Sequence, residues 1–83
     1  MDEVVREILP AIEEQLGSQD TPYVRRTYER LLQEQEIEDE EARAMMAFCL
    51  ADELEAMTTE NRSFDAERYE MLLNLLPAMP EGR

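Results

Sequence analysis

The chain has no histidine and no lysine, a single cysteine and two glycines. Without histidine, the usual general base and the commonest metal ligand are both missing. With only Gly17 and Gly82, no glycine-rich phosphate-binding loop can be built. Cys49 has no second cysteine to pair with. Its place inside the most apolar run reads as a small buried hydrophobe, not a nucleophile. Ser18 and Ser63 fall in turns with no base nearby in sequence, and neither has the Asp-Ser-Leu context of a carrier-protein attachment serine. Glutamate-rich helical bundles hold metal pairs through Glu-x-x-His motifs. Here Glu13, Glu14, Glu53 and Glu55 are framed by no such pattern. The aspartate-rich calcium loop with its central glycine is absent as well. The sequence therefore predicts no catalytic residue, no metal and no cofactor.

Positive charge is also scarce. Eight arginines stand against 21 acids, a formal net charge of −13. Affinity for nucleic acid or an anionic membrane comes largely from cations meeting phosphates, so both partners are disfavoured while basic ones are permitted. No charged leader precedes a long apolar segment, and no apolar run approaches the roughly 18 residues that would span a bilayer. A cytoplasmic protein is expected.

Of what is present, the stretch Glu40 to Met57 dominates. Ala44 to Ala51 are eight consecutive apolar residues flanked by acids. A helix apolar around most of its circumference must be covered on several sides. The expected fold is all-α: a small four-helix domain, residues 1–83, packed around a central third helix, with 76–83 a short tail. A chain of 83 residues buries only roughly 60–65% of its unfolded surface, which makes a docked partner or a homodimer a natural source of stability.

The helices are expected at 3–16, 22–35, 40–57 and 65–76. Val4, Val5, Ile8, Leu9, Ile12 and Leu16 mark one face of the first. Pro10 lies off that stripe as a kink, and Gly17 reads as the stop. Asp20 or Thr21 caps the second, which begins at Pro22 and holds Tyr23, Val24, Tyr28, Leu31 and Leu32 on its apolar side. Arg25, Arg26 and Arg30 are its basic cluster. Asp39 is the expected N-cap of the third helix, with Ile37 packing back as a staple. At about 100° per residue, Met46, Cys49, Leu50, Leu54 and Met57 share one arc of that helix. Ala47 and Ala51 form a small-residue flank. Thr58 to Ser63 is expected as the longest loop. Asp65 caps the fourth helix, Phe64 and Tyr69 have staple spacing, and Ala66, Tyr69, Leu72, Leu73 and Leu76 form its inner face. Pro77 ends it, and Pro80 keeps the tail to Arg83 from resuming.

Two residues of the third helix break the pattern. Glu53 projects into the apolar arc, where either an arginine such as Arg30 or Arg26 neutralises it or burial raises its pKa in a ligand pocket. Phe48 falls on the polar side, with Glu41, Asp52 and Glu55 as angular neighbours. These four residues form the candidate interaction surface, and Glu53 with Arg30 the candidate buried polar pair.

Four segments carry a resemblance: EEQL (Glu13 to Leu16), TPYVRRTYERL (Thr21 to Leu31), EEARAMMAFCLADEL (Glu40 to Leu54) and FDAERYEMLLNLLP (Phe64 to Pro77). Together they resemble a small, functionally uncharacterised bacterial all-helical domain family. Its members carry a Glu-x-Gln-Leu helix end and a proline turn into a helix ending in Arg-Leu. A His-Glu-Ala-type helix start and a Phe-Asp…Tyr…Leu-Pro tail follow. The chain departs from that pattern twice. No glycine follows the second helix near Gln35, and Glu40, Glu41 and Ala42 stand where the histidine motif would be. The resemblance thus implies the fold and carries over no metal or proton chemistry. The function expected from the residues is a protein-interaction or regulatory module without catalytic activity. The alternative is a small-ligand or enzyme-like site around Glu53 in an apolar pocket.

Overall fold

The computed structural model describes residues 3–79. Its order is α1 (Glu3–Leu16), α2 (Pro22–Gln33), α3 (Asp39–Glu60) and α4 (Ala66–Leu75), with no strand among the described residues. α3 touches each of the other three helices. It buries Ala42, Met46, Ala47, Cys49, Leu50, Glu53 and Ala56, more than any other element, so the expected centre of the domain is where the structure has it. Val5 and Ile12 of α1, Val24 and Leu31 of α2, and Tyr69 and Leu73 of α4 close over it. Thr27 joins them, its hydroxyl satisfied by donating to the Tyr23 carbonyl at 2.8 Å.

Local chemistry sets most helix ends where the sequence predicts them. Pro22 opens α2 after Thr21, whose hydroxyl donates to the Gln15 carbonyl at 3.0 Å instead of capping its own helix. Pro10 lies within an unbroken α1 on its exposed side. Gly17 follows the end of α1 without a positive φ, so the stop does not draw on glycine's conformational freedom. Asp65 caps α4 by accepting from the Arg68 backbone N–H at 3.1 Å. The staple forms as a ring contact between Phe64 and Tyr69, with centroids 5.7 Å apart.

Other expectations are corrected. α3 runs a turn further than Met57, to Glu60, and closes at Asn61 with φ 54°. The stretch TTENRS is polar but holds no glycine or proline to break the helix, and asparagine tolerates the left-handed closing position. The loop shrinks to the residues between Glu60 and Ala66. The N-cap of α3 is Glu38, with Asp39 in its first turn. Leu54 is 42% exposed, because the buried arc is centred on Met46, Cys49 and Glu53 and leaves Leu54 at its edge. Ala66 is exposed too. The expectation for Pro80 to Arg83 lies outside the described residues.

α2 ends at Gln33, two residues before the expected end, and Glu36 adopts φ 55° in the following turn. A Cβ in this region is unfavourable by roughly 1–2 kcal/mol. Glu36→Gly is therefore expected to raise stability by about 0.5–1 kcal/mol, the relief of the left-handed strain less the added freedom of the unfolded chain. Chemical denaturation checks this, and a loss of stability would contradict it.

Candidate functional site

Glu53 is fully buried, and four donors reach its two oxygens. Oε2 accepts from Arg62 Nη1 at 2.8 Å and from the Asp65 backbone N–H at 2.7 Å. Oε1 accepts from Arg68 Nη1 at 2.9 Å and Arg62 Nη2 at 3.1 Å. Arg62 thus grips the carboxylate with both prongs of its fork, and its Nε donates to Glu60 at 2.7 Å. Arg68 Nη2 continues to Asp52 at 2.5 Å. The cluster joins the last turns of α3, the connecting loop and the first turn of α4.

The electrostatics follow. The Arg62 hydrogen bonds, with help from the Asp65 N–H and Arg68, outweigh burial and hold Glu53 at about 2, far below the usual carboxylate range. Arg62 and Arg68 are raised in turn, each chiefly by its hydrogen bonds to Glu53. A carboxylate held ionised, with its acceptor positions taken, is not poised to exchange a proton at neutral pH.

The pairing expected between Glu53 and Arg30 does not form. Arg30 donates to the carbonyls of Leu76 at 2.8 Å and Leu73 at 3.0 Å. It covers carbonyls at the C-terminal end of α4, where Leu73 also accepts from the Leu76 N–H at 3.1 Å and a cation is favoured by the dipole. Arg26 approaches Glu70 at 4.0 Å instead. Sequence reasoning favoured the α2 cluster because its arginines are adjacent. The arginines that hold Glu53 flank the α3–α4 loop one at a time, and only their place in that tight helical hairpin marks them.

Cys49 is a buried free thiol, and burial, with the nearby Asp52 carboxylate, pushes it up to about 12. It behaves as core. Tyr69 is raised by burial, and its hydroxyl donates to Gln15 Oε1 at 2.7 Å. Clefts among the described residues also open elsewhere. One of about 380 Å³ is lined by Leu9, Glu13, Asp39, Glu40 and Arg43. Arg43 bridges Asp39 at 2.8 Å and Glu13 at 3.6 Å there, and its guanidinium lies 5.3 Å from the Tyr28 ring centroid. Asp39 is lowered first by the Tyr28 hydroxyl and then by Arg43. Another, about 200 Å³, is lined by Tyr23, Arg26, Thr27, Arg30 and Asn74. Neither includes Glu53. Among the described residues, no group of three or more metal-ligating side chains converges.

The candidate interaction surface divides. Phe48 is 37% exposed, and Glu41 and Glu55 are exposed as well. Asp52 is not an open surface acid, since its side chain is only 9% exposed and is paired with Arg68. A second apolar surface, absent from the sequence reading, lies on α4. Phe64, Met71 and Leu75 are 40%, 54% and 58% exposed. Met71 and Leu75 are four residues apart, a spacing that sets them on one side of α4, while Phe64 stands before the helix, against Tyr69. The signal was the run MLLNLL, which carries more apolar residues than one buried face can use.

No protein-family model, no curated protein and no solved structure matches this chain.

Proposed function

We propose that the chain is a non-catalytic protein-interaction module that receives its partner on the outer face of α4. The observation behind this reading is that α4 is apolar on two opposite sides. Tyr69 and Leu73 are fully buried against the domain, while Met71 and Leu75 are more than half exposed. A short helix apolar on both sides is one that is covered on both sides. Methionine suits such a surface, because its unbranched, polarisable side chain adapts to different partners.

The Glu53 cluster gives the face a firm base by tying α4 to α3, and it leaves that carboxylate no acceptor position for a ligand. The charge of −13 argues for a protein partner over nucleic acid or an anionic membrane. Among the described residues no helix is long and apolar enough to cross a membrane, and we take the cytoplasm as the working compartment. We also infer kinship with the bacterial helical domain described above. In support, EEQL closes α1, TPYV opens α2 and FDAERY opens α4.

Site-specific photo-crosslinking in the native cell tests the proposal. A crosslinker at Met71 is expected to capture one predominant protein, and one at exposed Glu7 of α1 to capture none. Equal capture at both positions, or none at Met71, would contradict it.

A further inference from the structure

We infer that the occupant of the α4 face is a basic amphipathic helix of a partner protein, an inference that rests on the interaction reading above. Its apolar side would lie along Met71 and Leu75, and its cations would meet the acids of the same helix.

Charge makes the first argument. α4 and its cap carry Asp65, Glu67 and Glu70, with Asp65 and Glu67 exposed. The one cation of α4, Arg68, is turned inward onto Asp52 and Glu53. Arg26 of α2 reaches Glu70 only at 4.0 Å, with both side chains substantially exposed. Glu67, four residues before Met71 on the same side of α4, therefore sets an exposed acid at the edge of the apolar strip, with Asp65 at the helix start. A basic partner gains from that field in encounter rate and register.

Size and shape make the second. α4 has ten residues, so its outer face is about 15 Å long and, at a helix width of about 10 Å, offers on the order of 150 Å² of footprint. Even with neighbouring loops this falls short of the roughly 800 Å² per partner of a stable standard interface. A second copy would also bring another charge of −13 and, across a two-fold axis, set the same acids against themselves. A single helix laid along the strip needs less area and brings no such repulsion. Strand addition by an extended peptide needs a sheet edge, and the described residues contain no strand.

The test uses two designed helical peptides with the same leucine stripe, one bearing lysines on its polar side and the other glutamates. The lysine peptide is expected to bind the full chain, to shift the NMR signals of Met71 and Leu75 first, and to weaken as salt is raised. The double variant Met71→Asp, Leu75→Asp keeps its helical circular dichroism and binds that peptide at least roughly tenfold more weakly, since the lost contacts are the apolar anchors. The glutamate peptide does not bind. Equal binding of the two peptides, or undiminished binding of the lysine peptide to the double variant, would overturn the inference. So would self-association through Met71 and Leu75 seen by sedimentation. If crosslinking at Met71 captures a partner through an acidic or neutral segment, this inference fails and the interaction reading stands. If Met71 captures nothing, the interaction reading itself fails.

Discussion

Replacing Glu53 by alanine is expected to lower folding stability by about 3 kcal/mol, near the low end of what breaking a buried ion pair costs. The low end applies because the Arg62 and Arg68 side chains are 25% and 23% exposed and can turn to water once released. The Asp65 backbone N–H loses its acceptor at the same time. For a domain of this size about 3 kcal/mol corresponds to a fall in melting temperature on the order of 15 °C. Glu53→Gln keeps the shape without the charge and is expected to cost about 2 kcal/mol, since hydrogen bonds to an ionised group are about twice as strong as neutral ones. The same residue sets the acid limb of stability. Its folded pKa is about 2, below the ordinary 4.5. Its contribution is therefore complete above pH 4.5 and is lost as pH falls from there toward about 2. Denaturation between neutral and acid pH should show a shallower acid limb in Glu53→Gln than in the parent. An unchanged limb would mean that Glu53 is not the linked group.

Tyr69→Ala is expected to be the most damaging single truncation, at about 4 kcal/mol. The side chain is fully buried, meets Tyr23 edge-on at 6.0 Å and Phe64 at 5.7 Å, and bonds Gln15 of α1. It thus links α4 to α1 and α2 and to the staple residue at its own N-terminus. A domain of 83 residues has a total stability of roughly 4–12 kcal/mol, so this variant is expected to lose at least about a third of it. Tyr69→Phe keeps the rings together and removes only the hydroxyl. It is expected to cost about 1 kcal/mol, because the half-buried Gln15 amide recovers part of its bonding from water. Circular dichroism melts of the pair separate packing from hydrogen bonding. Equal losses would show that the hydroxyl, and not the ring contacts, carries the weight.

The helices were readable because each repeats its apolar residues at helical spacing, and their ends carry local chemistry such as Pro22 and Asp65. The errors share a different cause. Glu53 takes a place in the buried arc of α3, while Leu54 stands at the surface. What allows an acid there is a pair of arginines nine and fifteen residues further on, outside its own helix. Periodicity within one element cannot show a partner supplied by another. The extra turn of α3 was missed because polar composition in Thr58 to Ser63 was taken for a loop, although nothing there breaks a helix. Of the candidate interaction surface, Phe48, Glu41 and Glu55 are exposed. Asp52 is not, since its burial depends on Arg68. The second apolar side of α4 was legible in MLLNLL, but a residue can be assigned to the unburied side only once the packing of the other is known.

Arg62 and Arg68 hold Glu53 ionised as part of the fold. The titration of its side-chain carboxyl carbon by NMR tests that most directly. The expected result is a Glu53 signal that stays at its ionised position through the range in which exposed glutamates protonate, and moves only as pH approaches about 2. A midpoint above the ordinary 4.5 would mean a carboxyl kept neutral in an apolar pocket. That result would contradict the structural role and return a ligand or proton-transfer site to the centre of α3.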